Sequence, residues 1–165
     1  MATRLEAIIV ADGAVPAGVN ARTVRLTAEL TMIPVGRDLL AQLDPGAVGD
    51  DPIPAGWVMN QPVAALTRKI SAGRVALYVV SETDGGPGFT EAIAWRDGGV
   101  IFGPSGTCDL ASDQVPGYRL TQTRDSALNA GLRAIGVRVA PGCYDEYETV
   151  GLVKHRMTGD WLNED

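Results

Sequence analysis

Residues 74–102 read RVALYVVSETDGGPGFTEAIAWRDGGVIF, and the fold class turns on this stretch. Arg74 to Ser81 is rich in Val and Tyr, the residue types that fit a pleated, half-buried surface. It runs into Asp84-Gly85-Gly86-Pro87-Gly88, whose glycines and proline suit a tight turn. Phe89 to Arg96 follows as a second apolar run, Asp97-Gly98-Gly99 as a second turn, and Val100 to Phe102 as a third run. Three antiparallel strands joined by two glycine turns account for the whole stretch.

Upstream, Asn60 suits an N-cap and Pro62 a first helical turn, with Val63, Leu66 and Ile70 on one face until Gly73. This predicts a helix packed on the sheet. Pro45, Pro52 and Pro54 with Gly46, Gly49 and Gly56 mark the residues before it as a surface loop, too short to separate domains. Leu39, Leu40 and Leu43 are spaced for a short helix over Arg37 to Leu43. Thr23 to Ile33 alternates apolar and polar residues and predicts one half-buried strand, and Leu5 to Val10, closing on Asp12-Gly13, predicts another.

Downstream, Gly103 to Gln122 is interrupted by Pro104, Gly106, Pro116 and Gly117 and reads as loop with a brief strand at Tyr118 to Leu120. Asp125 is placed to cap a helix carrying Leu128, Leu132 and Ile135 and ending at Gly136. Asp145, Glu146 and Glu148 followed by Lys154, His155 and Arg156 match the charge order favoured by a helix dipole, predicting a last helix from Asp145 to His155. Strands and helices do not alternate as a doubly wound sheet requires. The expectation is a single α+β domain over residues 1–165, with a largely antiparallel sheet packed against three to four helices.

The 165 residues, 45% apolar and 21% charged, suffice for a buried core. No window approaches the roughly 18 to 20 uninterrupted apolar residues of a membrane helix, so no membrane partner is expected. A formal charge of −6 repels phosphate backbones and argues against nucleic acid; it favours encounter with a basic protein. Cys108 and Cys143 form no CxxC and have no neighbouring histidine, which fits a reduced cytoplasmic location without a disulfide or zinc site. No cofactor and no metal are expected.

His155, between Lys154 and Arg156, reads more simply as a helix-end cation than as a general base. Cys143 is followed by Tyr144, Asp145 and Glu146, whose charges would raise a thiol pKa, and Cys108 precedes Asp109, so neither carries the signature of an activated nucleophile. The cluster Asp84 to Gly88 lacks the Gly-Lys-Ser/Thr of a phosphate loop and reads as a hairpin turn. The adjacent acids Asp50-Asp51 and Asp145-Glu146 read as solvated surface. Tyr144, Tyr147 and Trp161 among Asp145, Glu146, Glu148, Asp160, Glu164 and Asp165 have the composition of a binding hot spot, aromatic anchors inside a charged rim; filling the core with the same aromatics is an equal alternative.

Several segments, taken together, resemble a family of small bacterial proteins counted mostly as uncharacterised or as candidate immunity proteins of polymorphic-toxin systems. They are Leu30 to Pro34, Ala76 to Gly88, Ala92-Ile93-Ala94-Trp95, Ala127 to Val137, Asp145-Glu146-Tyr147, Val150-Gly151-Leu152, His155-Arg156 and Asp160-Trp161. The chain departs from that pattern at Asp84, where an aromatic usually stands, and at Thr90 or Glu91, where a glutamine does. The resemblance implies a fold and an immunity role and brings no catalytic residue with it. The resulting expectation is a non-enzymatic acidic protein that binds and neutralises a cognate toxin through Tyr144, Asp145, Glu146, Tyr147, Glu148, Asp160 and Trp161. The competing expectations are a small hydrolase pairing Cys108 or Cys143 with His155, and a structural subunit of a phage or secretion assembly. The oligomeric state is left open.

Overall fold

The computed structural model describes residues 3–12, 15, 18–46, 51–83, 88–109 and 115–163. Seven strands form one sheet: β1 (Thr3–Ala11), β2 (Val24–Arg25), β3 (Leu30–Pro34), β4 (Val75–Thr83), β5 (Gly88–Arg96), β6 (Gly99–Cys108) and β7 (Tyr118–Leu120). Their order is β2-β3-β1-β4-β5-β6-β7, antiparallel throughout except for the parallel pair β6–β7. Five short helices accompany them: α1 (Arg37–Gln42), α2 (Gln61–Ile70), α3 (Ala127–Ala134), α4 (Glu146–Thr149) and α5 (Thr158–Leu162). The chain is thus a single α+β domain with a mostly antiparallel sheet. Among the described residues no helix is long and apolar enough to cross a membrane.

The central strands are covered on both faces, which is why their sequences are continuous apolar runs instead of alternating ones. Ile8, Val10, Tyr78, Val80, Ile93 and Trp95 face α1 and α2. Their neighbours Ala7, Ile9, Leu77, Val79, Ala92 and Ala94 face α3 and the C-terminal segment. Helix α2 begins as expected: Asn60 Oδ1 accepts the Val63 amide at 3.0 Å, and Pro62 stands in the first turn.

Four local readings are corrected. Residues 23–33 are not one strand: Ala28 and Glu29 both have φ of 60°, so the chain reverses there and β2 pairs back on β3. The alternation that suggested one strand comes from two arms of a hairpin whose buried Leu26 and Leu30 meet across the turn, the Leu26 amide donating to the Leu30 carbonyl at 2.9 Å. Strand β6 continues through Cys108, because a register shift opposite Ala92 to Trp95 absorbs Gly103 and Pro104 without ending the pairing. The cap of α3 is Ser126, one residue later than expected, with Asp125 in a 3-10 turn before it. The last predicted helix is broken: Gly151, at φ of 85°, separates α4 from a 3-10 turn at Leu152–Lys154, and α5 follows only at Thr158.

Glu6, Val80, Glu91, Gly106 and Tyr118 lie side by side from β1 to β7 on the α2 face. Glu91 is fully buried; its carboxylate accepts the Val58 amide at 2.9 Å, the Met59 amide at 2.7 Å and the Tyr118 hydroxyl. Glu6, also buried, accepts from the Tyr78 hydroxyl at 2.7 Å and from Asn60 Nδ2 at 3.3 Å. Burial drives the pKa of both tyrosines upward and their carboxylate partners push it further, so the hydroxyls remain donors. Gly106 has no room for a side chain: a Cβ there would sit 2.4 Å from the Tyr118 ring and 2.8 Å from Trp57.

Replacing Glu91 by Leu removes the acceptor for two amides and a hydroxyl at once. The expected cost is about 3 kcal/mol or more, measured as a lower urea midpoint at unchanged slope. Glu6 yields a pH prediction of the opposite character. Burial raises its folded pKa above the unfolded one, so the folded state holds the proton more tightly. Stability therefore falls as pH rises from the usual carboxylate range through the folded value, and Glu6→Gln should flatten that decline.

Candidate functional site

Directly beside the carboxylate row, one residue along each strand, runs a second row that faces the other way. Ser81 on β4, Thr90 on β5 and Thr107 on β6 are cross-strand partners on the α3 face. They end the apolar surface, and the two threonines present their hydroxyls to the start of α3. The Thr90 and Thr107 hydroxyls lie 2.9 Å apart; Thr107 Oγ1 accepts the Ala127 amide at 2.8 Å and Thr90 Oγ1 the Leu128 amide at 3.4 Å. Ser126 Oγ accepts the Asn129 amide at 3.2 Å. The amides that a helix start leaves without intrahelical partners are thus taken by the sheet and the cap.

Asn129, buried on α3, carries the connection to α4. Its Oδ1 accepts the Tyr147 amide at 2.9 Å and its Nδ2 donates to Asp145 Oδ2 at 3.1 Å. Asp145 is only 6% exposed and caps α4 by accepting the Glu148 amide at 2.9 Å. Between these parts lies a cavity of about 260 Å³, with walls including Ser81, Thr107, Leu128, Asn129, Asp145 and Tyr147, and with Asp109 also lining it. Burial first, and then the Asp145 charge, raise the Tyr147 pKa, so its hydroxyl stays a neutral donor.

The seven residues expected to bind a partner are therefore divided. Asp145 and Tyr147 line the cavity. Tyr144 is 58% exposed, with the Arg124 guanidinium 4.3 Å from its ring centroid and donating to its carbonyl at 3.0 and 2.7 Å. Glu148 is exposed and accepts the Tyr144 amide at 2.6 Å. Glu146 is buried and ion-paired to Arg133 at 3.2 Å. Asp160 is exposed, accepting the Met157 amide at 3.1 Å. Trp161, 2% exposed, belongs to the core over β1 and β3, with the His155 ring edge-on at 4.6 Å. The core-filling reading therefore describes Trp161.

Two acid pairs expected at the solvated surface need correction. Asp145 and Glu146 are both buried because one caps a helix and the other meets Arg133. Asp51 is buried as well, 3.5 Å from Arg68; Asp50 lies outside the described residues, as do residues 84–87 of the expected hairpin turn, although Thr83 and Gly88 are paired on either side of it.

The thiol and imidazole candidates are also placed. Cys108 is buried opposite Phe89, in register with the α2 face that holds Gly106 and Tyr118. His155 packs on Trp161 on the other side of the sheet, so these two cannot act as a pair. Cys143 is half-buried in the turn after Pro141-Gly142. Among the described residues no three His, Cys, Asp or Glu side chains converge as a metal site.

Ser81, Thr90, Thr107, Asp109 and Asn129 were not singled out from the sequence. The signal was available in part: with the hairpin of residues 74–96 recognised, Ser81 and Thr90 fall opposite each other, a polar pair next in line to the apolar pairs Val79–Ala92 and Leu77–Ala94 on the same face. Thr107 and Asn129 offer no such signal, because their place depends on β6 extending through the expected loop.

No family model, no curated protein and no solved structure matches the chain. The cysteine assignments are checked by thiol titration: Cys143 should react with a disulfide reagent in the native protein, and Cys108 only after unfolding. Equal reactivity of both in the native state would contradict the placement of Cys108.

Proposed function

We propose that this chain is a non-enzymatic, acidic binding protein of the cytoplasm, and specifically an immunity protein that neutralises a cognate bacterial toxin by binding it. The observation that carries the reading is the convergence of Asp145 and Tyr147 on one cavity, with Tyr144 and Glu148 exposed next to them in the chain. Aromatic surface beside a partly desolvated acid is the arrangement in which interface energy concentrates.

The buried acids support the non-enzymatic side. Glu91 holds backbone amides, Glu6 holds Tyr78 and Asn60, and Glu146 holds Arg133. Each of these three is used in joining one element to another, so none of them is free to serve as a general acid or base. Cys108 and His155 face opposite ways, which withdraws support from that version of the hydrolase alternative.

The test is co-expression with the adjacent open reading frame. A stable complex and rescued growth are expected, with Tyr144→Ala combined with Glu148→Ala weakening the complex about tenfold or more by calorimetry. Absence of both a complex and rescue would overturn the immunity reading.

A further inference from the structure

Whatever enters the cavity must match its charge. Asp145 lines it from within and Asp109, an exposed residue at the end of β6, lines it from the solvent side. None of the ion pairs described, Arg4–Glu82, Arg68–Asp51 and Arg133–Glu146, involves either of them. The carboxylate of Asp145 is met by one backbone amide and one side-chain amide, which are neutral donors. It is a buried charge without a described counter-charge, next to empty space.

One effect opposes a cation. The start of α3 borders the same cavity, and a helix N-terminus carries at most about half a positive charge. Helix α3 has only eight residues, and its first three amides are already bound by Thr107, Thr90 and Ser126. Against that half charge stand two formal negative ones, so a cation is favoured and an anion is repelled.

Shape adds a second requirement. Leu128 and Tyr147 contribute apolar lining suited to a methylene stem, while Ser81, Thr107 and the acids contribute polar lining. Its volume of about 260 Å³ is smaller than the roughly 300–1,000 Å³ of clefts that take drug-sized ligands. We propose that the cavity receives a lysine or arginine side chain of the bound protein, the stem lying on Leu128 and Tyr147 and the cationic head directed to Asp145 and Asp109. This assignment rests on the protein-binding reading above and names the chemistry of the partner's contact residue.

The probe is Nα-acetyl-lysine N-methylamide, with its arginine counterpart, titrated into the labelled protein and followed by amide chemical shifts. The controls are the capped norleucine and capped Nε-acetyl-lysine compounds, which keep the stem and lose the charge, and an uncapped alkyl diamine. Cationic capped probes should shift the Thr107, Asn129 and Tyr147 amides, and the neutral ones should not. Asp109→Asn should weaken binding by about fivefold, as one solvated charge does, and Ser81→Phe, which fills the cavity and leaves both acids, should abolish it.

Equal shifts from the neutral probes, or no shifts from the cationic ones, would overturn the assignment. Response to the alkyl diamine alone would overturn its protein source and make the cavity a small-amine site. The two readings fail separately: a toxin complex that forms while the probes stay silent removes the cavity assignment and spares immunity. Cavity binding in a protein that captures no partner spares the cation preference and removes immunity.

Discussion

The buried carboxylate of Glu91 is the constraint on which the rest of the structure depends. A fully buried acid in the middle of a sheet is costly unless its lone pairs are occupied, and here two consecutive backbone amides and a tyrosine hydroxyl occupy them. Those donors come from the segment that leads into α2 and from the last strand. Glu91 therefore fastens an irregular segment and an edge strand to the centre of the sheet, which apolar packing alone would hold without directional preference. Glu6 repeats the device from β1, reaching Asn60 at the moment the helix begins. Glycine at position 106 completes the arrangement, because only a residue without a side chain lets the Tyr118 and Trp57 rings close over the row.

This anchoring also determines the other face. Successive residues of a strand point to opposite sides, so the register that lays Glu6, Val80, Glu91, Gly106 and Tyr118 together necessarily lays Leu5, Ser81, Thr90 and Thr107 together on the reverse. A slip of one residue would bury the hydroxyl row under α2 and turn both carboxylates toward α3. The polar end of the α3 face, where the cavity lies, is thus specified by interactions made on the α2 face. Energetics on one side of the sheet and function on the other are coupled through register, and substitutions at Glu91 or Gly106 should reach the cavity although neither residue lines it.

The central hairpins, α2 with its Asn60 cap, and the α+β class were legible in the sequence because each rests on local chemistry: apolar runs, glycine turns, a capping side chain. What escaped depends on distant partners. Nothing near Asp145 or Glu146 announces that Asn129 and Arg133 will bury them, and charged residues are ordinarily solvated. Glu91 reads as one acid in an apolar strand until the 57–60 segment is brought to it from about thirty residues away. The reversal at Ala28 and Glu29 uses residues with no left-handed preference, so the turn is imposed by its surroundings: Thr27 is fastened to the Thr149 and Val150 carbonyls of the C-terminal segment. Of the site, the stretch 144–148 was legible as composition, while the hydroxyl row and Asn129 that give it a cavity were not.

Lack of an ion pair does not by itself distinguish a binding acid from a structural one, since none of the described ion pairs involves Glu6 or Glu91 either. The difference is what surrounds them. Glu91 is enclosed by the donors it holds and by packed rings, so its charge serves the fold and has no route to another molecule. Asp145 borders open volume, and its neighbour Glu146 shows that the same helix start can reach an arginine when neutralisation is all that is required. A chain optimised for stability alone would gain by pairing Asp145 in the same way or by filling the space beside it. That it does neither is the physical ground for assigning Asp145 to recognition and Glu91 to architecture, although both are buried carboxylates bound to backbone amides.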